Sequence, residues 1–419
     1  MRVFKFGGAS VKDADAVRNV ANVINRYKDE TLLIVVSAMG KTTNALEKLA
    51  KAYDEQDKPV IQKMYQEIKS YHDGIINHLL TNSPSHAYDD IENIFIELEC
   101  LLETEPELDH DATYDQIVGY GEIFSTRIVS TYLNQVDIKN RWMDARNFII
   151  TDNNFKEAKV DWASTSSLIS KKLKPIVQKQ IVVTQGFIGE SREHNSTTLG
   201  REGSDYSAAI FAFGLDADSV TIWKDVDGVM NADPKKVSDA QKLESLSYSN
   251  AIEMAYYGAT VIHPKTIQPL QNKAIPLYVK SFINASSTGT SIAGYAQENK
   301  LPIIISKTEQ LLISISSRDF SFIVEDNLSK IFSIFANHHV KINLMQNSAI
   351  SFSVCVDNVG EKIERLINDL NIEYNVKTNN ELEMYTIMQY EDQVVKNLLK
   401  DREVLLEQRS RSTVQLVVR

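Results

Sequence analysis

From the first residue to about position 285, short apolar runs alternate with amphipathic stretches. Residues 3–6, 32–37, 141–144, 181–184, 220–224 and 277–279 have the length and composition of strands, and helical periodicity fills the gaps. Strands separated by helices predict an α/β domain with a mostly parallel sheet sandwiched by helices, whose ligands bind beyond the C-terminal ends of the strands. Residues 44–135 carry little strand pattern and several heptad-like apolar repeats, such as Ile91-Glu-Asn-Ile-Phe-Ile-Glu-Leu, and read as a helical insertion. The stretch Ser286-Ser-Thr-Gly-Thr breaks both periodicities, so the domain is expected over 1–290.

The remainder has a different texture. Residues 311–316 and 351–356 alternate apolar and polar positions and bracket a helix over 327–338, a β-α-β order near 60 residues long. A shorter set follows, with strands at 372–376, 383–388 and 414–418 and a helix at 392–400. Two small α+β units, over 300–370 and 371–419, suggest a paired regulatory module.

Composition narrows the function. A chain of 419 residues, 43% hydrophobic, holds two or three domains. Its net charge of −11 offers nucleic acid or anionic lipid no general basic surface, so anion chemistry must come from local cations, with Lys5, Lys224 and Arg201 the ones to explain. Cys100 and Cys355 are the only cysteines, which disfavours a disulfide scaffold or a cysteine metal site and fits a reducing cytoplasm. The N-terminus lacks a signal peptide's apolar core, and no apolar run approaches the ~20 residues that span a bilayer.

Candidate chemistry gathers at the predicted strand ends. Thr197-Thr-Leu-Gly-Arg-Glu-Gly-Ser-Asp places Arg201 in a loop that feeds a helix start, where unpaired N–H groups and a guanidinium together suit an anion; a capped surface loop is the alternative. Lys5-Phe-Gly-Gly-Ala-Ser follows a strand, and its glycines allow the backbone to approach a phosphate while Lys5 neutralises charge. The P-loop spacing is absent, and a Gly-Gly turn beside a solvated lysine would look the same. Val35-Val-Ser-Ala-Met-Gly-Lys-Thr-Thr-Asn puts Ser37 and Thr43 near that loop, with Thr42 or Thr43 also suited to capping the next helix. Glu122, in Gly119-Tyr-Gly-Glu, is either a helix-dipole partner or the acceptor for a cationic substrate group. In Trp223-Lys-Asp-Val-Asp-Gly-Val-Met-Asn-Ala-Asp-Pro-Lys, Asp225 and Asp227 suit nucleotide groups, and Lys224 and Lys235 suit polyphosphate. An EF-hand is disfavoured because its twelfth position is Lys236. His263, His338 and His339 read as structural residues at helix boundaries, and the eight histidines make no metal pattern.

Taken together, Lys5-Phe-Gly-Gly-Ala-Ser, Val36-Ser-Ala-Met-Gly-Lys-Thr-Thr-Asn, Gly121-Glu122, Gln185-Gly-Phe-Ile-Gly, Thr198-Leu-Gly-Arg-Glu-Gly-Ser-Asp and Trp223-Lys-Asp-Val-Asp-Gly closely resemble the aspartate kinases, nearly end to end. The resemblance implies an amino-acid kinase fold followed by ACT domains. It also implies transfer of the ATP γ-phosphate to the side-chain carboxylate of L-aspartate, the first step of lysine, threonine and methionine biosynthesis, under feedback by lysine or threonine. By the family's pattern Lys5, Arg201 and Glu122 are catalytic, and Arg201, Glu122, Thr43, Ser37 and Ser204 hold the substrate. Lys5, Phe6, Gly7, Gly8, Ser37, Lys224, Asp225, Met230 and Lys235 line the ATP site, with Mg²⁺ carried on the phosphates and no protein metal site of its own. Ser317, Asp319, Asn343, Gln346, Asn347 and Ser348 are the effector candidates, Phe320 closing the first of these loops, and a homodimer or larger homo-oligomer is implied.

Two positions depart from the family's pattern. Lys224 stands where Thr or Ser is common, and Thr260 where Lys is common, which suggests that the two have exchanged roles. Glu202 stands where Gly is common and is expected to point to solvent, leaving Arg201 free. The competing expectations are a glutamate, acetylglutamate, carbamate or uridylate kinase of the same fold, or an inactive amino-acid sensor. A fused homoserine dehydrogenase is not expected, the sequence stopping at Arg419.

Overall fold

The computed structural model describes residues 1–81, 85–106, 109–259, 262–294, 301–319 and 321–419, without the side chains of 85–87. Two compact units emerge, one made of 1–229, 242–252 and 261–299 and the other of 230–241, 253–260 and 300–419.

In the first unit, β1 (Arg2–Phe6), β2 (Leu32–Val36), β3 (Asn140–Trp142), β4 (Ile150–Thr151), β5 (Ile181–Gln185), β6 (Ile188–Ser191), β7 (Ser196–Thr198), β8 (Ser219–Lys224), β9 (Ser245–Ser247), β10 (Leu277–Ser281) and β11 (Thr290–Ala293) form two sheets. The larger runs β3-β5-β2-β1-β8-β10-β11-β9 and is parallel except between β10 and β11. Every residue of β2 and β5 is buried, because a parallel strand covered on both faces can carry no alternation. The sheet continues through β11, beyond the small polar stretch that begins at Ser286. The smaller sheet, β4-β6-β7, is built from polar runs of two to four residues that carry no readable period.

The helices α1 (Ala14–Asn25), α2 (Thr42–Asp54), α3 (Lys58–Leu79), α4 (Ser85–Glu103), α5 (His110–Val118) and α6 (Tyr120–Gln135) follow the expected order, the last five forming the insertion. Asp13 and Asp109 cap α1 and α5, accepting from the N–H groups of Ala16 and Ala112. The capping expected of Thr42 or Thr43 is not seen: Lys41 precedes α2 without a side-chain cap, and Thr42 donates its hydroxyl to Met39 O instead. Among the described residues no helix is long and apolar enough to cross a membrane.

The second unit is one six-stranded antiparallel sheet in the order β13-β14-β12-β15-β17-β16, made by β12 (Ile303–Ser317), β13 (Ile342–Asn347), β14 (Ser351–Asp357), β15 (Tyr374–Met388), β16 (Val404–Arg409) and β17 (Thr413–Val418). Its first half has the β-α-β-β-α-β order of a ferredoxin-like module, with helices Glu325–Asn337 and Glu361–Glu373 covering one face. The two α+β sets form one sheet. Where the sequence suggested two strands, at 372–376 and 383–388, β15 runs unbroken for 15 residues and pairs with β12 and β17, so the sets share it.

Candidate active site

The C-terminal ends of the neighbouring strands β5, β2, β1 and β8 come out at one edge of the parallel sheet, with Phe6 level with Val36 and Val36 level with Gln185. Lys5 lies one residue from the end of β1 and is almost fully buried, and its Nζ is 2.6 Å from Asp205 Oδ1. Lys224, the last residue of β8, brings its Nζ to 3.8 Å from Asp205 Oδ2. Asp205 belongs to the first turn of the helix Gly203–Leu215 and is 3% exposed, so two ammonium groups converge on one buried carboxylate. Two cations gathered at a strand end are a chemistry suited to an anionic ligand.

The glycines are required by close approach. A Cβ on Gly8 would lie 2.8 Å from Ala38 O and 3.0 Å from Gly40 O, too close for any side chain, and Gly40 N–H donates to Gly8 O across the same gap at 3.1 Å. Residues Gly8–Val11 form a short 3₁₀ turn in which the buried Ser10 hydroxyl finds no partner among the described residues. A Cβ on Gly186, just past β5, would fall 2.4 Å from Ser204 Cβ. Ser37 Oγ donates to Ser204 Oγ at 2.7 Å, fastening the exit of β2 to the helix that carries Asp205.

Glu122 and Arg201 lack ionic partners among the described residues. Glu122, in the first turn of α6, is buried; its Oε1 accepts from Ala38 N–H at 3.3 Å and its Oε2 has no partner among the described residues. Burial raises its pKa to about 8, against smaller opposing effects from the Ala38 N–H and the Lys5 charge. Arg201 is exposed and makes no ion pair or side-chain hydrogen bond among the described residues. It sits between Gly200 and Glu202, both with left-handed backbone at φ +77° and +54°. Glu202 does not point to solvent as expected: its Oε2 is shut away without a partner among the described residues, and its charge acts on His263, whose pKa burial lowers and Glu202 partly restores. His263 itself caps the helix Pro264–Asn272, the structural place expected of it.

Of the residues expected here, Lys5, Gly7, Gly8, Ser37, Glu122, Ser204 and Lys224 lie at the strand ends or on the elements tied to them, and Thr43 follows at the start of α2, half-buried. Phe6 is fully buried and stacked at 6.0 Å on Trp223, so it can offer a ligand only its backbone. Asp225 and Asp227 are exposed in the turn after β8. Met230 and Lys235 fall in the other unit, and Thr260 lies outside the described residues. Asp205 was not among the expected site residues. Its sequence signal, an acid in the first turn of a helix, is that of an ordinary dipole partner.

In the second unit, Ser317 Oγ and Ser321 N–H both donate to Asp319, and the Ser321 side chain, together with these bonds, holds that carboxyl down at about 2. Asn343 is engaged by Lys307, Gln310 and Asp357. Gln346 and Asn347 are exposed at the end of the edge strand β13, Ser348 bonds Ser351, and Phe320 lies outside the described residues.

The chain is similar to known proteins. Residues 1–281 match the model of the amino acid kinase family. The chain is 31% identical over 360 residues to lysine-sensitive aspartokinase 3 of Escherichia coli (strain K12), covering 85% of this chain and 78% of that protein. It is also 31% identical to the chloroplastic aspartokinase 2 of Arabidopsis thaliana, over 88% of this chain and 69% of that one. The crystal structure of E. coli aspartokinase III in complex with aspartate and ADP superimposes with a TM-score of 0.83 at 27% identity, covering 100% of this chain and 96% of that one. The chain therefore belongs to the amino acid kinase family and, within it, to the aspartokinases.

Proposed function

We propose that the strand-end site phosphorylates the side-chain carboxylate of L-aspartate with ATP, giving 4-phospho-L-aspartate and ADP. The observation that carries this reading is the convergence of Lys5 and Lys224 on buried Asp205, with Glu122, whose Oε2 has no partner among the described residues, close enough to feel the Lys5 charge. Arg201 takes the α-carboxylate through two bonds, and Glu122 takes the α-ammonium. Ser37, Ser204 and Thr43 supply hydroxyl donors around them.

The attacking carboxylate is ionised at neutral pH, so no general base is needed. One of its oxygens bonds the γ-phosphorus while the bond from that phosphorus to the bridging oxygen breaks, leaving ADP. Positioning and charge neutralisation then carry the catalysis. Lys5 faces the transferring group, Gly7 and Gly8 let the backbone reach the phosphates, and Lys224 adds a second cation from the neighbouring strand. The orphaned Ser10 hydroxyl fits the same anionic neighbour. Among the described residues no group of three or more His, Cys, Asp or Glu could hold a metal alone. Mg²⁺ fits here as an ion carried on the ATP phosphates, where it would offset their charge.

Asp225 is the proposed nucleotide-side contact of the first unit. The second unit is the proposed effector module, answering to lysine or threonine, with Gln346 and Asn347 the accessible candidates on β13. Exposed Met345 and Ile350 on the same edge support self-association as a homodimer or larger homo-oligomer. Two unpaired thiols, Cys100 and Cys355, suit a cytoplasmic location. A coupled assay of ADP formation with aspartate, glutamate or no acceptor, repeated with added lysine and threonine, tests the reading. ADP production indifferent to aspartate would end it.

A further inference from the structure

Asp115 is fully buried in α5, belongs to no part of the reaction described above, and yet has both oxygens saturated. Thr198 donates to it twice, through its backbone N–H to Oδ2 at 2.8 Å and through its hydroxyl to Oδ1 at 2.7 Å. The Lys156 N–H reaches both oxygens at 3.0 Å. A buried carboxylate held by three donors on two other segments acts as a rivet, since none of the three can move without stranding it.

What the rivet joins is the two halves of the proposed amino-acid clamp. On one side, α5 passes through Gly119 into α6, whose Glu122 lies seven residues beyond Asp115; the junction is continuous, Gly119 N–H bonding Asp115 O and Ile123 N–H bonding Gly119 O. On the other side, Thr198 ends β7 three residues before Arg201. The intervening turn is fixed as well: Leu199 N–H bonds Phe187 O, Ala158 N–H bonds Thr198 O, and a Cβ on Gly200 would touch Lys156 O at 3.1 Å.

We propose that Asp115 is a positioning residue that sets the separation between Arg201 and Glu122, and through it the length of amino acid that the site accepts. The inference rests on the aspartate-clamp reading above. With the rivet intact, the segments that carry the guanidinium and the carboxylate are held in one relation, so that the substrate's side-chain carboxylate is delivered at one reach. Loosening the rivet lets that relation vary, which weakens aspartate binding and relaxes discrimination against the homologue one methylene longer.

The test compares aspartate and ATP KM values, and the ratio of kcat/KM for aspartate over glutamate, in the full-length enzyme and its variants. Asp115→Asn puts an amide NH₂ where N–H donors point. Thr198→Val keeps the volume and removes only the hydroxyl, so it serves if the first variant does not fold. Each is expected to raise the aspartate KM about tenfold or more, leave the ATP KM within about twofold, and lower the aspartate-to-glutamate ratio. In an Arg201→Ala background the same substitutions are expected to add little to the aspartate KM, because the position they set is already lost. An unchanged aspartate KM, an equal rise for ATP, or the same fold-change with and without Arg201 would overturn the proposal. Failure of the underlying reading looks different, since Arg201→Ala alone would then leave the aspartate KM untouched.

Discussion

With Glu122 as the proposed acceptor of the α-ammonium, aspartate binding is expected to depend on pH in a definite direction. Its carboxyl, closed off from water, has its pKa raised to about 8, so near neutral pH the empty site holds it protonated. Pairing with an α-ammonium requires the carboxylate. At pH 7 the proton must be removed at a cost of about 1.4 kcal/mol, one pH unit below the pKa. The apparent KM for aspartate then falls about tenfold for each unit that the pH rises toward 8, and levels off above it. Steady-state ADP formation at saturating ATP from pH 6 to 8.5 measures this, and calorimetric titration in two buffers of different ionisation enthalpy counts the proton released. Glu122→Gln flattens the profile and abolishes the proton release while weakening binding throughout. A wild-type KM independent of pH, or an unchanged slope in Glu122→Gln, would refute the argument. The same shift has a stability consequence with a definite sign. The native state holds this proton more tightly than the unfolded chain, so its contribution is fully present below about pH 4.5 and is lost as the pH climbs through 8, by about 1.4 kcal/mol per unit. The melting temperature of Glu122→Gln relative to wild type therefore rises across that window.

Two further substitutions probe the departures from the family's pattern. Glu202→Gly relieves a left-handed backbone that costs a side-chain-bearing residue about 1–2 kcal/mol and frees a buried oxygen without a partner. Its thermal midpoint is expected to rise by about 2–4 °C with no increase in aspartate KM, and a lower midpoint would show that the carboxylate has a native partner. Lys224→Thr removes one of the two cations held on Asp205, and the ATP KM is expected to rise about tenfold, or 1.4 kcal/mol. Adding Thr260→Lys tests the suggested exchange of roles, which fails if the second change restores nothing.

The central sheet was legible because β1, β2, β5 and β8 are buried on both faces and must be apolar throughout, and because helices must intervene between parallel strands. Lys5 and Glu122 were legible as candidates because a Gly-Gly pair and a helix start stand beside them, and the structure brings both to the strand-end cluster. Helix Glu361–Glu373 lay within reach of periodicity, with apolar residues at 363, 366, 367 and 370, but was not read. The unity of β15 was not legible, since its middle, Lys377-Thr-Asn-Asn-Glu, has the composition of a turn and holds its strand only through pairing with β12. Asp205 and Asp115 were hidden for a related reason. An acid within a helix looks the same in sequence whether it faces water or, as here, is closed in by cations or N–H donors from distant segments.

The most direct measurement is of the acyl phosphate itself. Hydroxylamine present during turnover converts a phosphorylated carboxyl group into a hydroxamate, which can be quantified against ADP released in the same vessel. The account predicts one aspartyl hydroxamate per ADP with aspartate as acceptor, with far less of either product with glutamate or with no acceptor. ADP appearing without hydroxamate, or equal hydroxamate from glutamate, would contradict it.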